Sequence, residues 1–437
     1  NLVSYQTAGG REGPRDAPVQ IVTDGLQVAH EFYNKGIEEE DVLIIDEAHE
    51  WNTNMEMLVA IVKNAVCKNP QLRVVIMSAT MDAERLADFY SQIDDERPPI
   101  INIPGRAYNI ETSEQPSSTV VDEVMKIVTG IAGNEDANEG PNGILAFVPG
   151  KREIQDSINA VRSRLPKEIA HKVKLFPLHA KLSAAEQTSA LTEYPGYIKI
   201  VFSTDVAQTS LTIPDIRYVV DSGYQRRMEI DDEGTRSLSS VPISYAEAMQ
   251  RKGRTGRVGD GFYVSTCLNE DIAYVPLALR DDYPVPEILR TDASRDTLRL
   301  KEMGYEVGNF DLYHMPSQRI IQLAKETLRL LGAFDENNEL TDIGREMNKY
   351  PAGASSARIM VEAGRYKPTT RSFLAAIVAT KEAGGLQYYA NNASQRWQEL
   401  TQEDESDFLV QLDLFIAAQH MTMSELREYG LDIDNFK

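Results

Sequence analysis

The chain has 437 residues, 42% of them hydrophobic, which is enough for about three domains that each bury a core. No apolar run approaches the ~18 residues of a membrane helix, and residues 1–11 lack the apolar stretch of a signal peptide, so we expect a soluble protein. The net charge of −22 excludes a protein that coats nucleic acid through bulk positive potential, and any nucleic-acid contact is expected to be local. Cys67 and Cys267 show no metal-ligand or CxxC spacing, which predicts neither a zinc site nor a disulfide framework and favours a reducing, intracellular setting.

From Val19 the sequence alternates between predicted strands and helices, the order typical of a parallel sheet with covering helices. The predicted strands are 19–22, 42–45 and 72–77, and the predicted helices are 24–35, 54–66 and 82–90. Small hydroxyl residues follow two of these strands, in Thr23-Asp24-Gly25 and in Ser78-Ala79-Thr80. Taken singly, these segments are best interpreted as helix N-caps, with Asp24 and Asp82 as the capping residues.

Two carboxylates follow the apolar run 42–45. Four consecutive apolar residues, three of them β-branched, predict a central strand that is buried on both faces. Because chemistry in open α/β sheets takes place at the carboxyl ends of the strands, Asp46 is placed to hold Mg²⁺, directly or through water. Glu47 is placed to orient or deprotonate a water that attacks a γ-phosphate. An acidic pair after a strand can also be an ordinary helix N-cap.

A second alternating block indicates a second lobe of the same kind. Residues 113–119 are polar and are predicted to form a loop that connects the lobes. The predicted strands are 143–148, 174–178, 197–202 and 218–223, and the predicted helices are 152–165 and 184–192. Alternation then resumes between Gln225 and Ser244 around Asp232-Glu233-Gly234, which predicts a β-hairpin with a turn glycine.

A dense basic cluster, Gln250-Arg251-Lys252-Gly253-Arg254-Thr255-Gly256-Arg257, follows the predicted hairpin. Arginines three apart with small residues between them suit a loop or helix start that presents guanidinium groups to phosphate oxygens. The alternative is a surface basic patch. After residue 271 the pattern becomes helical, with helices predicted at 292–303, 317–331, 357–366 and 370–383 and a short strand or wing at 338–344.

The phosphate-binding loop Gly-x-x-x-x-Gly-Lys-Ser/Thr occurs nowhere in the 437 residues. Gly150-Lys151 follows a predicted strand, but Leu145 stands in the place of the first glycine and Arg152 in the place of the hydroxyl residue. The lysine that grips the β- and γ-phosphates in such loops is therefore absent from the printed sequence.

In order and spacing, these motifs resemble those of the superfamily 2 DEAH/RHA helicases over nearly the whole chain. The resemblance is carried by residues 23–25, 46–49, 78–80, 147–150, 203–213 and 250–257. It also includes Ile103-Pro104-Gly105-Arg106, Val241-Pro242-Ile243-Ser244 and Pro286-Glu287-Ile288-Leu289-Arg290.

In the first lobe, the resemblance implies a site for ATP and Mg²⁺. Asp46 and Glu47 are similar to the residues that serve Mg²⁺ and the attacking water, and His49 to the residue that links the nucleotide site to the other lobe. Ser78 and Thr80 look like the coupling between hydrolysis and strand movement.

In the second lobe, Gln250 is similar to the residue that positions the water. Arg254 and Arg257 resemble the arginine fingers on the γ-phosphate. Thr204 and, from the first lobe, Thr23 resemble residues that grip the RNA backbone.

The resemblance implies an α/β fold with two tandem RecA-like parallel-sheet lobes, the first of them incomplete, followed by winged-helix and helical-bundle (ratchet) domains. The first lobe is expected at 1–104 and the second at 105–275, with its hairpin at 225–244 guiding or parting strands. The winged-helix domain is expected at 276–350 and the ratchet-like domain at 351–437.

The implied function is an ATP-dependent RNA helicase that couples NTP hydrolysis to 3′ to 5′ translocation on single-stranded RNA and to unwinding or remodelling of RNA and its protein complexes. Its expected partners are RNA and an activator protein, with no membrane. We expect a monomer inside the cell, in the cytoplasm or, in a eukaryote, the nucleus. The alternatives are a viral-type DExH helicase, which does not usually carry this helical tail, and a catalytically inactive adaptor that binds RNA or a partner.

Several positions depart from the family pattern. Trp51 stands where an arginine is usual, Asp205 where asparagine is usual and Gln208 where glutamate is usual. Leu191 falls where an aromatic residue stacks on the base, which leaves base selectivity open. The resemblance also places the phosphate-binding loop before Asn1 and an OB-fold after Lys437, so the 437 residues alone are expected to be inactive.

Overall fold

The computed structural model describes residues 2–7, 10–34, 37, 40–91, 97–103, 105, 108–133, 142–180, 182, 184–208, 211–230, 236–257, 259–268, 272–387, 396–402, 406–432 and 436. Some sequence features therefore lie partly outside the described residues: Lys35 of the first predicted helix, Pro104 and Arg106 of the 103–106 motif, residues 209–210, and the hairpin turn at 231–235. No helix in the described part is long and apolar enough to cross a membrane.

The first lobe contains two small sheets covered by helices. Its elements are β1 (Val3–Thr7), β2 (Gly10–Glu12), β3 (Val19–Val22), α1 (Asp24–Asn34), β4 (Val42–Ile45), α2 (Thr53–Lys68), β5 (Arg73–Ile76) and α3 (Ala83–Ser91). One sheet has the order β2-β1-β3, in which β1 and β3 are parallel, and the other is the parallel pair β4-β5. The predicted helices and strands are confirmed to within one to three residues, but β1 and β2 were not predicted.

The prediction that the strand before Asp46 is buried on both faces is wrong. Val42 and Ile44 are 54% and 60% exposed, whereas on the other face Ile45 is buried in the core that includes α2 and Leu43 is partly buried. The reason is that β4 pairs with β5 alone in the described chain, and one face of this pair is covered. A sheet covered on one side shows this alternation of exposed and buried residues.

The second lobe is a six-stranded sheet in the order β6-β13-β10-β7-β9-β8, and every pairing is parallel. Helices cover both faces, with α4 and α5 packed on one side and α7 and α8 on the other. Its elements are β6 (Ile110–Thr119), α4 (Val120–Ala132), β7 (Gly143–Phe147), α5 (Lys151–Arg164), α6 (Lys167–Ala170), β8 (Val173–Leu178), α7 (Ala184–Leu191), β9 (Ile198–Ser203), β10 (Ile216–Asp221), β11 (Tyr224–Ile230), β12 (Arg236–Pro242), α8 (Tyr245–Lys252) and β13 (Gly261–Cys267).

The prediction of a loop at 113–119 is also wrong, because this segment belongs to β6, the edge strand that pairs with β13. Polar residues and Pro116 are compatible with an edge strand, since one side of its backbone needs no ladder partner. Thr119 ends the strand and caps α4: its hydroxyl accepts from the Asp122 amide at 3.2 Å, and the Asp122 carboxylate accepts from the Thr119 amide at 3.2 Å.

The predicted hairpin is present as the antiparallel pair β11-β12, which spans seven residue pairs from Tyr224–Pro242 to Ile230–Arg236. Beyond β13 the chain is helical, with α9 (Ser294–Glu302), α10 (Gln318–Leu330), α11 (Asp342–Asn348), α12 (Ala354–Ala363), α13 (Pro368–Ala383), α14 (Asp407–Ala418) and α15 (Met423–Glu428). In the segment 338–344, predicted as a short strand or wing, Leu340 forms an isolated antiparallel bridge with Phe334, and α11 begins at Asp342.

The hydrophobic core of the first lobe continues into the C-terminal half of the chain. The buried residues of α2 and α3 form one cluster with apolar residues of the segment 288–321, namely Ile288, Leu300, Val307, Phe310, Leu312, Tyr313 and Ile321. The helices α9 to α12 share a separate core. The first lobe and the segment 288–321 are thus packed as one body.

Candidate nucleotide site between the lobes

The acidic motif forms a tight turn at the end of β4. Asp46 accepts a hydrogen bond at Oδ1 from the Glu47 amide at 2.9 Å, and a 3₁₀ turn, Ala48–Glu50, follows. Glu47 at one end of this turn (φ 53°, ψ 36°) and Trp51 at the other (φ 41°, ψ 39°) both adopt the left-handed backbone conformation. Non-glycine residues rarely adopt this conformation, and such strain persists only where the surrounding structure holds it.

His49 connects the turn to the segment after β5. Its Nδ1 lies 3.2 Å from the Ser78 hydroxyl and accepts from the Ala79 amide at 3.4 Å, which places the imidazole proton on Nε2. Nε2 lies 3.3 Å from a carboxylate oxygen of Glu47, although the pair is not aligned as a hydrogen bond. Burial lowers the pKa of His49, and although the Glu47 charge opposes this, the ring is neutral at pH 7.

The second lobe reaches the segment after β5 through α8. Gln250 donates from Nε2 to the Thr80 hydroxyl at 2.8 Å, and its Oε1 accepts from Gln208 at 2.8 Å. Burial lowers the pKa of Arg254 to about 10; Arg257 acts in the same direction and Glu47 in the opposite one. Arg254 is therefore a cation at neutral pH, and the negative charge of Glu47 favours this state.

Both predicted finger arginines are held by backbone and side chains of their own lobe. Arg254 donates to the backbone oxygen of Leu211 at 3.0 Å and also to that of Gln208. The exposed Arg257 donates to the Thr212 hydroxyl at 3.4 Å and to the backbone oxygen of Gly253 at 3.2 Å. The bonds named here use two of the five N–H donors of each guanidinium.

The predicted RNA-gripping threonines lie apart from this cluster. Thr23 is exposed, and its backbone oxygen accepts from the amides of Leu26 and Gln27 at the start of α1. Thr204 follows β9 and is the N-cap of the 3₁₀ turn Asp205–Ala207. In the part of the chain that the structure describes, neither threonine is hydrogen-bonded to the acidic turn. Each lies at the carboxyl end of a strand, as the sequence predicts.

The donor set of the acidic turn fits Mg²⁺. Asp46 is exposed and the Glu47 side chain is 43% exposed, so both offer accessible carboxylate oxygens. Mg²⁺ is commonly bound by one or two carboxylates together with water and substrate phosphates. Among the described residues, three potential metal ligands come within 4.8 Å of one another at His30, Glu31 and Glu40, a group that does not include this turn.

Arg251 was not singled out from the sequence, although it organises the basic cluster. Its side chain is 1% exposed; Nη1 lies 2.7 Å from Asp221 Oδ1, and Nε donates to Gln208 at 3.0 Å. The guanidinium also lies over the Phe147 ring, 4.8 Å from its centroid. The reading of 250–257 as a surface patch is therefore wrong at Arg251, which fixes α8 to the sheet. The sequence offers one signal for this role: Arg251 lies inside α8, whereas Arg254 and Arg257 lie in the loop that follows.

Comparison with known protein families gives two matches within the chain. The helicase conserved C-terminal domain matches residues 121–259, and the winged-helix helicase associated domain (HA2) matches residues 326–352. The chain is 32% identical over 357 residues to the pre-mRNA-splicing factor ATP-dependent RNA helicase prp22 of Schizosaccharomyces pombe, which covers 79% of this chain and 29% of that protein. It is 32% identical over 365 residues to the ATP-dependent RNA helicase HrpA of Escherichia coli, which covers 80% of this chain and 26% of that protein.

The chain belongs to the DEAH/RHA helicase family. The fold agrees with that of the E. coli DEAH/RHA helicase HrpB, with a TM-score of 0.74 and 24% identity over 96% of this chain and 51% of that one. The predicted family and fold class are confirmed. This DEAH/RHA chain spans between about a quarter and a half of the length of the curated relatives it matches, which include the probable ATP-dependent RNA helicase DHR2 of Saccharomyces cerevisiae (30% identical, 46% covered).

Proposed function

We propose that the whole protein is an ATP-dependent RNA helicase that couples hydrolysis to 3′ to 5′ translocation on single-stranded RNA and so unwinds or remodels RNA and its protein complexes. The observation that carries the proposal is the hydrogen bond across the lobe boundary from Gln250 to Thr80, in the same short segment whose Ser78 contacts His49 of the acidic turn. The named relatives support the ATP and RNA parts of the proposal. We also propose that the protein acts inside the cell as a monomer, with an activator protein.

In this proposal Glu47 holds the attacking water and accepts its proton, and its carboxylate is accessible, so water can reach it. Asp46 and Glu47 hold Mg²⁺, which neutralises charge on the phosphates. Gln250 orients the same water from the opposite lobe. Arg254 and Arg257 turn from their backbone acceptors toward the γ-phosphate, where a guanidinium stabilises the charge of the transition state.

The coupling step uses the two hydroxyl residues after β5. Ser78 contacts His49 in the first lobe, and Thr80 accepts from Gln250 in the second. A change at the nucleotide can therefore be transmitted to the lobe boundary through the three residues from Ser78 to Thr80. Opening this boundary changes the separation of Thr23 and Thr204, which we propose grip successive parts of the RNA backbone.

Glu47→Gln in the whole protein tests the catalytic assignment. We expect RNA-stimulated hydrolysis to be nearly abolished while nucleotide binding is retained, because a water-orienting carboxylate stabilises the transition state more than the ground state. Glu84→Gln, which removes the same charge from the exposed face of α3, is the control and should hydrolyse at the wild-type rate. Steady-state hydrolysis by Glu47→Gln within a few-fold of wild type would exclude this role.

The 437 residues alone should bind ATP weakly and turn over negligibly, because their sequence lacks the phosphate-binding lysine and the hydroxyl that helps to hold Mg²⁺. Isothermal titration calorimetry on this chain provides the measurement, and micromolar affinity would contradict the assignment. The absence of ATP hydrolysis by the wild-type whole protein would favour the adaptor instead.

A further inference from the structure

Trp51, directly after the acidic turn, inserts its indole into a socket made by the distant residues Tyr313 and His314. The indole stacks on the Tyr313 ring with centroids 4.7 Å apart and an interplanar angle of 6°. The His314 imidazole meets it edge-on at 4.6 Å, and Trp51 is 7% exposed. The side chain that ends the catalytic turn is thus held by a segment about 260 residues away in the chain.

The backbone at Trp51 and directly after it is held by a second part of the same region. The Glu287 amide donates to the Trp51 backbone oxygen at 3.1 Å, and the Glu287 carboxylate accepts from the Thr53 amide at 2.9 Å. Glu287 lies in a 3₁₀ turn, Glu287–Leu289, that contributes Ile288 to the core of the first lobe. Ring and backbone of Trp51 are therefore fixed independently.

The socket itself is rigidly attached to the first lobe. Glu56, which is fully buried on α2, accepts from the His314 amide at 2.6 Å and lies 2.8 Å from His314 Nδ1. The Phe89 ring meets Tyr313 edge-on at 5.4 Å, and the Arg85 guanidinium lies 4.6 Å from the Tyr313 ring centroid. Hydrogen bonds and packed rings of this kind leave the socket little freedom to move.

We propose that Trp51 is a positioning residue: clamped by Tyr313, His314 and Glu287, it holds the turn Ala48–Glu50 in the geometry that directs Glu47 and His49 into the interlobe site. The left-handed backbone of Trp51 is strained for a side chain of this size, and the clamp supplies the contacts that maintain it. The strained Glu47 begins the same turn, so a change at Trp51 reaches the catalytic carboxylate within four residues. The clamp also makes the segment 287–314 part of the nucleotide site.

Amide hydrogen exchange on the 437-residue chain tests the clamp without any need for activity. Trp51→Ala and Tyr313→Leu should each raise exchange at residues 46–51 by roughly three- to tenfold, the effect of losing one aromatic stack. Trp51→Phe, which keeps a ring in the socket, should remain close to wild type. Leu58→Ala is the matched control, because Leu58 is buried in the same core on α2 but takes no part in the ring contacts and hydrogen bonds of the socket described above.

The clamp is refuted if exchange at 46–51 is unchanged in Trp51→Ala and Tyr313→Leu. It is also refuted if Leu58→Ala, compared at an equal loss of melting temperature, raises this exchange as much as those two variants do. The positioning role rests on the proposed function and has its own readout in the whole protein. There Trp51→Ala should lower kcat by about ten- to a hundredfold with KM for ATP little changed, and Trp51→Phe should restore it. Faster exchange with an unchanged kcat would overturn the positioning role, whereas an inactive wild-type protein would refute only the proposed function.

Discussion

Arg251→Met is expected to destabilise the second lobe, although this arginine belongs to a basic cluster whose last arginine, Arg257, is exposed. The guanidinium is buried and bonded to Asp221, which is 0% exposed, and to Gln208. These contacts tie α8 to the end of β10. Since α8 also carries Gln250, the same ion pair supports the lobe-boundary contact of the candidate site.

The magnitude follows from what Asp221 retains when its partner is removed. Breaking a buried ion pair costs about 3–5 kcal/mol, because one charge is left without compensation. Asp221 still accepts from the Gly223 amide at 2.9 Å and from the Tyr263 hydroxyl at 2.7 Å, which places the expected cost near ~3 kcal/mol, the lower end of that range. Adding Asp221→Asn removes the orphaned charge, so the double variant should be more stable than the sum of the single effects by ~2 kcal/mol.

Amide hydrogen exchange in β10 and β7 is the appropriate assay, because both tryptophans, Trp51 and Trp397, lie outside the second lobe and cannot report on it. A loss of ~3 kcal/mol corresponds to roughly a hundredfold faster exchange through global opening of the lobe. Arg162→Met, at an exposed position on α5, is the control. A cost below about 0.5 kcal/mol for Arg251→Met, or strictly additive effects in the double variant, would refute the reasoning.

Burial raises the pKa of Asp296 to about 6, so this carboxyl binds a proton when folded that it releases when unfolded, and stability falls as the pH rises from about 4 to 6. Asp296→Asn should therefore stabilise the chain by ~1–3 kcal/mol at pH 7.5 and not at pH 3.5 in urea titrations; equal effects at both pH values would contradict this. Removing the interlobe bond by Gln250→Leu or Thr80→Val should lower kcat of the whole protein by at least about tenfold, and wild-type rates in both would argue against the contact. RNA binding by the acidic whole protein should show a log–log salt slope of about −1.4 to −2.8, for two to four phosphate contacts. Thr23→Ala and Thr204→Ala should weaken RNA binding or uncouple hydrolysis without changing this slope. A steeper slope, or unchanged RNA affinity and coupling in both variants, would contradict the proposed grip on the RNA backbone.

Local periodicity was sufficient to predict most elements, whereas burial and strand pairing were not. The four apolar residues 42–45 do form a strand, but which of them are buried depends on what covers each face, and this is not encoded within the segment. The polar segment 113–119 is a strand because β13, about 150 residues later, supplies its backbone partners. From composition alone such a polar segment is predicted to be a loop, because the strand that pairs with it in a parallel sheet lies far away in the sequence.

The predicted site residues after β4 and β5 come together because the carboxyl ends of parallel strands meet at one edge of a sheet, and Gln250 of α8 joins them through its bond to Thr80. What the sequence did not indicate is the conformation that presents them. Nothing in the residue types predicts left-handed backbone at Glu47 and Trp51, which depends on the distant partners Tyr313 and Glu287. The burial of Arg251 was missed for a similar reason, since its partner Asp221 lies thirty residues away on another element.

The contacts on the two sides of the acidic turn differ in strength, and the difference indicates which part of the molecule can move. Toward the second lobe, the bond from Gln250 to Thr80 is a neutral hydrogen bond worth about 0.5–1.5 kcal/mol. Toward the segment 287–314, Trp51 belongs to a continuous core in which each large buried side chain contributes about 1.5–3 kcal/mol. Separating the first lobe from that segment would expose many such side chains at once. Nucleotide-driven movement is therefore expected at the boundary with the second lobe, while the first lobe and the segment 287–314 move together as the body that carries Glu47.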